Sequence, residues 1–250
     1  MHQIIVFAAA FLGGAVNSVA GGGTLISFPT LIWLGVPSIN ANATNTVALW
    51  PGSLGAMWGY RREMAGLDRR VWALVVPSFF GGLAGAILLY RTPTNVFDRL
   101  VPWLIVFATC LFMVQEPIQR RLNLSKTKDD SHQWHLWTLA FQLLVGVYGG
   151  YFGAGIGILM LAALSIMGHT DIHQMNGVKN LLAVCINGIA AVYFMATGLV
   201  VWQDAAVMAV GAIVGGIGGA GVARRIGRTA VRRIVVAIGF GMAAAMLFRL

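Results

Sequence analysis

The chain has 250 residues, of which 58% are hydrophobic and only 10% charged, and its mean hydropathy is +0.78. Soluble domains carry about 25% charged residues; this chain lacks the polar surface to fold in water and reads as an integral membrane protein. Its net charge of +9 is read as loops on the cytoplasmic side, where Lys and Arg accumulate, because no soluble basic domain exists to bind nucleic acid.

Apolar runs of helical-span length follow one another to the end of the chain. The start, MHQIIVFAAAFLGGAV, is apolar like a signal peptide but has no basic leader, and reads as the first mature segment. Residues 4–35 form a segment broken at Gly21, Gly22 and Gly23. Helices are expected near 41–60, 71–90 and 96–114, then a polar linker from Gln115 to Trp134. A second broken segment covers 135–168, followed by helices near 175–197, 203–222 and 231–249.

That order is a duplication. Gly-Gly-Leu-Ala-Gly-Ala at 81–86 returns as Gly-Gly-Ile-Gly-Gly-Ala at 215–220, an offset of 134. Gly66-Leu67 returns as Gly198-Leu199, Asn45 as Asn180, and the glycine break at 21–23 as Gly153, Gly155 and Gly157. The expected organisation is all-α: a first transmembrane repeat at 1–114, a cytoplasmic linker at 115–134 and a second repeat at 135–250. The basic clusters at 61–70, 120–128 and 224–233 share one side only if each broken segment enters and leaves as a hairpin. Each half is then a hairpin plus three spans, an odd number of crossings, and the second half is inverted relative to the first. Inverted repeats around broken helices are a common transporter architecture. Both termini face outward in this arrangement.

Non-helical backbone at membrane depth is tolerated where it is buried in protein or lines a water-filled cavity. Two equivalent breaks in inverted halves would meet, and half-helix N-termini offer free N–H groups and the positive dipole end to an anion. Gly21, Gly22, Gly23 and Thr24 in the first break, and Gly153, Gly155 and Gly157 in the second, are therefore candidate anion contacts. The glycines at 81–86 and 215–220 read instead as helix packing.

A polar cluster follows each break. ANATNT supplies Asn42, Thr44 and Asn45; NGVKN supplies Asn176, Lys179 and Asn180, with Asn187 two turns on. Some would cap helices. Lys179 stands apart, because the other two lysines lie in the linker. An ionisable residue within a membrane helix is costly and usually functional; near the interface it would be an anchor. The acidic residues Glu63, Asp68, Asp98, Glu116, Asp129, Asp130, Asp171 and Asp204 all fall in loops or at segment ends. That argues against a cation channel, a proton pump or a metal transporter. His169, Asp171 and His173 could hold a metal or sense pH, but such a loop is more often merely solvated. No nucleotide-binding pattern occurs, and no cofactor or resident metal is expected. Most tryptophans read as an interfacial belt; Trp50, Tyr148 and Tyr151 could line a cavity.

NSVAGGGTLISFPTLIWLG followed by NATNT, and GVYGGYFGAGIGILM followed by NGVKN, resemble the two signature regions of the TauE/SafE sulfite exporter family, also called the 4-toluene sulfonate uptake permease family. The resemblance covers essentially the whole chain. It implies transport of a small sulfur-containing anion, such as sulfite or an organosulfonate, across the bacterial cytoplasmic membrane. Export of sulfite or an organosulfur anion is the first reading, with a channel or uptake permease of the same fold as alternatives. A sulfur-relay protein would need Cys110 or Cys185 as its nucleophile, and neither has a histidine nearby in sequence. Nothing in the sequence selects one anion or an oligomeric state.

Overall fold

The computed structural model describes residues 1–19, 22–62, 64, 69–122, 132–166, 171–219 and 228–248. Among them the chain is helix and connection only. The first half comprises α1 (His2–Val19), α2 (Thr24–Trp33), α3 (Ser38–Gly59), α4 (Arg69–Ala73), α5 (Val75–Arg91) and α6 (Thr94–Leu122). The second comprises α7 (His132–Tyr151), α8 (Ile156–Ile166), α9 (Ile172–Ala196), α10 (Trp202–Val214) and α11 (Arg228–Leu247). Residues Gly215–Gly219 prolong α10 as a π-helical turn.

Three apolar stretches, Val71–Arg91, Thr94–Val114 and Gln174–Ala196, are long enough to cross a membrane. By contrast α2 has 10 residues and α8 has 11. At 1.5 Å per residue each reaches about 15 Å, half the hydrocarbon thickness of about 30 Å. Both are half-helices. The chain is thus an all-α polytopic membrane protein.

Two expected boundaries move for identifiable reasons. The helix expected at 71–90 is split at Leu74, because Pro77 cannot donate an N–H and its ring conflicts with the carbonyl four residues back, at Ala73, where α4 ends. The helix expected at 96–114 continues to Leu122, into the stretch read as linker. Leaving hydrocarbon does not end a helix; it only changes which side chains the helix can carry.

Packing follows the small residues. α5 lies along α7, and α10 with its π turn lies along α1. A Cβ at Gly150 would fall 2.0 Å from the Gly82 carbonyl oxygen, and one at Gly85 2.1 Å from that of Val147. In the other seam, a Cβ at Gly215 would fall 2.0 Å from the Phe11 oxygen, and one at Gly14 2.2 Å from that of Ala212. These glycines are contact surfaces between helices, as the sequence pattern indicates.

Helices α3 and α9 cross antiparallel through the middle of the molecule. Asn40 meets Leu199 at one end, Trp50 meets Val184 and Gly188 midway, and Tyr60 and Met64 meet Gly177 at the other. The core around this crossing buries Phe28, Phe97, Phe112, Phe152 and Phe194 completely. Trp33, Trp58, Trp72, Trp103, Trp137 and Trp202 are exposed, as residues of an interfacial belt are. Trp50 is not among them: its Nε1 donates to the Val184 carbonyl at 3.2 Å.

Candidate functional site

Both breaks turn on glycine. Gly22 has φ +89°, and Gly153 and Gly155 have φ +78° and +79°, a left-handed region that costs other residues about 1–2 kcal/mol. After the first break, α2 folds back on α1, with Gly23 against Gly13 and Asn17. After the second, Ile156 at the head of α8 lies against Gly149 of α7. Gly21 lies outside the described residues.

The two breaks come together. Gly22 faces the ring of Phe112, and Gly155 faces Leu111 one residue earlier on α6. The Phe28 ring of α2 meets the Phe152 ring edge-on, with centroids 5.3 Å apart. Asn42 of α3 donates through Nδ2 to the Tyr151 carbonyl at 2.9 Å.

Polar contacts at the first break are mostly buried. The Ser27 hydroxyl donates to Asn45 Oδ1 and lies 3.1 Å from the Gly23 carbonyl oxygen. Asn45 Nδ2 reaches Thr24 Oγ1 at 3.5 Å. Ser27 and Asn45 are buried, and so is Asn42, whose Oδ1 has no partner among the described residues. Thr44 Oγ1 accepts the Val201 N–H at 2.9 Å; its position secures a connection between helices.

The second break is better placed to receive an ion. Tyr148 holds it from within α7 by donating its hydroxyl to the Ala154 carbonyl at 2.7 Å. With that carbonyl and the Tyr151 carbonyl taken, the N–H groups of Ala154, Gly155, Ile156 and Gly157 donate to nothing among the described residues. They form the N-terminus of α8, the positive end of its dipole. Lys179 approaches from α9. Its methylene chain covers Gly157, where a Cβ would sit 3.1 Å from Lys179 Cδ, and its Nζ donates to Asn176 Oδ1 at 3.0 Å. Asn180 is half-buried one residue on, and Asn187 Oδ1 lies beside Gly153.

The polar clusters are not caps. α3 starts at Ser38 without a side-chain cap, which places Asn42, Thr44 and Asn45 in its first two turns. Asp171 precedes α9, and its Oδ1 accepts the Gln174 N–H at 3.4 Å. That is the geometry of a helix cap. His169 and the His173 side chain, the other members of that expected loop cluster, lie outside the described residues.

Asp204 does stand at a segment end, in the first turn of α10, but it is only 3% exposed. Its Oδ1 meets His2 Nε2 and Gln3 Nε2, each at 3.0 Å. Helix α1 packs along α10 and covers it. Sequence reading also missed Ser27, one turn beyond the first break, where a hydroxyl in an apolar helix was the available signal.

Half-helices meeting at a buried polar seam inside a bundle are a common transporter architecture. The chain belongs to the family described as Sulfite exporter TauE/SafE, which matches residues 6–246. It is 30% identical over 257 residues to a probable membrane transporter protein of Haemophilus influenzae, covering 98% of this chain and 94% of that one. It is 26% identical to the probable membrane transporter protein YfcA of Escherichia coli K12, covering 98% and 89%. A Sinorhizobium relative, the probable membrane transporter protein ORF9, is also 26% identical, covering 97% and 91%. No solved structure matches. The family and these relatives are transporters, not enzymes.

Proposed function

We propose that the chain moves a small sulfur-containing anion, sulfite or an organosulfonate, out across the bacterial cytoplasmic membrane. One observation carries this reading: the unpaired N–H groups at the head of α8 lie beside the methylene chain of half-buried Lys179, whose ammonium is held by Asn176. Backbone donors fixed by Tyr148 and Asn42 would bind the anion's oxygens without reorganising. Lys179 would offset its charge, and Asn176, Asn180 and Asn187 would complete its hydrogen bonds. At the first break, Gly22, Gly23 and Thr24 would approach the anion mainly through backbone, with Asn45 and Ser27 holding their shape. The family's name supports sulfite as the first anion to test.

The exchange of partners between halves, α5 on α7 and α10 on α1, together with the antiparallel crossing of α3 and α9, supports an inverted-repeat arrangement. Export is the favoured direction energetically. With the interior negative, each anionic charge gains about 2.3 kcal/mol per 100 mV on leaving. The test is flux into and out of proteoliposomes holding the purified protein, with sulfite, sulfoacetate, taurine, thiosulfate and sulfate offered in turn. Saturable flux and counterflow of one sulfur anion support the reading. Equal leakage of all five, or none, overturns it; flux without saturation indicates a channel.

A further inference from the structure

The two ends of the α3–α9 crossing are built differently. At the spacing that relates Asn45 to Asn180, Thr44 corresponds to Lys179 and Asn40 to Met175. At the Thr44 end the α9–α10 connection is tied down twice. Asn40 Nδ2 donates to the Leu199 carbonyl at 2.8 Å, and the Val201 N–H donates to Thr44 Oγ1 at 2.9 Å. Just beyond, Asp204 is bound by His2 and Gln3 of α1. Thr44 and Asn45 are fully buried beneath these contacts.

At the opposite end the matching positions are Met175 and Lys179, which cannot repeat those hydrogen bonds. There the α3–α4 connection touches α9 through Tyr60 and Met64 side chains on Gly177. Asn176, Lys179 and Asn180 are only half-buried beneath it. Arg61 and Arg62 adjoin this end, which places it on the cytoplasmic side.

We propose that Asn40–Leu199, Thr44–Val201 and the His2/Gln3–Asp204 cluster together form the outer gate of the transporter, shut in this structure while the Lys179 side is open to the cytoplasm. The gate joins elements of both halves, so opening it must move α10 and the α9–α10 connection away from α1 and α3. A gate made of a few hydrogen bonds suits that task. Such contacts are each worth about 0.5–3 kcal/mol, small enough to exchange during a transport cycle. The inference rests on the chain being a transporter and not on which anion it carries.

Access can be read without substrate. In a Cys110→Ser, Cys185→Ser background, Asn180→Cys and Asn45→Cys are each exposed to a membrane-impermeant maleimide in right-side-out and inside-out vesicles. Asn180→Cys is expected to react at least tenfold faster from the cytoplasmic face, and Asn45→Cys to be protected from both. Adding Asn40→Ala or, separately, Asp204→Asn is expected to raise outer-face labelling of Asn45→Cys at least fivefold. Equal labelling of Asn180→Cys from both faces overturns the assignment of sides. Unchanged protection of Asn45→Cys in both gate variants overturns the gate. Two single substitutions on different elements guard against one failing to fold. Failure of every anion in the flux panel would leave these labelling results intact.

Discussion

Lys179→Met tests the anion site most directly. Methionine keeps an unbranched chain to cover Gly157 and removes only the ammonium. The size of the effect follows from Coulomb's law. Two unit charges about 4 Å apart interact by ~4 kcal/mol at an effective dielectric of about 20, and by ~1 kcal/mol in bulk water. At 1.4 kcal/mol per tenfold, those limits correspond to roughly 1000-fold and 5-fold in affinity. Lys179 is half-buried, so its surroundings lie between the two. The expected loss is about 10- to 100-fold in half-saturation for sulfite, measured by counterflow in proteoliposomes. Thermal unfolding followed by tryptophan fluorescence would show the variant still folded. Lys179→Arg should recover most of the affinity, because the charge returns. A folded Lys179→Met protein whose half-saturation shifts less than twofold would refute the counter-ion role and leave the ammonium as an anchor bonded to Asn176.

Tyr148→Phe removes the hydroxyl that holds the Ala154 carbonyl, leaving a buried acceptor at a cost of about 1–3 kcal/mol; a lower unfolding temperature and weaker anion binding together are expected, and loss of neither would show that the break holds its own shape. Gly150→Val places side-chain atoms where the Gly82 carbonyl oxygen already lies, since even a Cβ would fall 2.0 Å away. Overpacking of about 1–3 kcal/mol or more should appear as reduced yield and melting temperature, whereas a stable variant would mean that α5 and α7 can part. A potassium diffusion potential of 100 mV, negative on the side of origin, should favour exit of a monovalent anion by ~2.3 kcal/mol, about 50-fold at equilibrium. An unchanged distribution ratio would point to electroneutral coupling.

What the sequence made legible was whatever depends on local pattern. Composition gave the membrane class, and the glycine runs gave the places where the two broken segments turn. The glycine seams at 81–86 and 215–219 were readable because small residues at helical spacing have few other uses. Partners distant in the chain were not readable. Nothing local in the sequence says that α1 will cover Asp204 with His2 and Gln3, about 200 residues away. Asn42 and Asn45 looked interchangeable, yet one holds the Tyr151 carbonyl and the other meets Ser27. A helix's rotation about its axis decides which neighbour a side chain reaches, and three residues turn it through most of a circle. Thr44 was read as an anion contact, and nothing in the sequence near it announces that its Oγ1 also accepts the Val201 N–H.

The glycine seams have a consequence for assembly. α5 rests on α7 and α10 rests on α1, so each half lends a scaffold helix to the other and leaves one of its own faces bare without it. Neither half is expected to fold and persist alone. On the proposed inverted-repeat arrangement, an ancestral single-repeat chain with these seams would have had to insert in both orientations and pair with its own opposite. Cutting the present chain between residues 123 and 131 tests this dependence. The two fragments are expected to accumulate and purify together when made in one cell, and to be degraded when made separately.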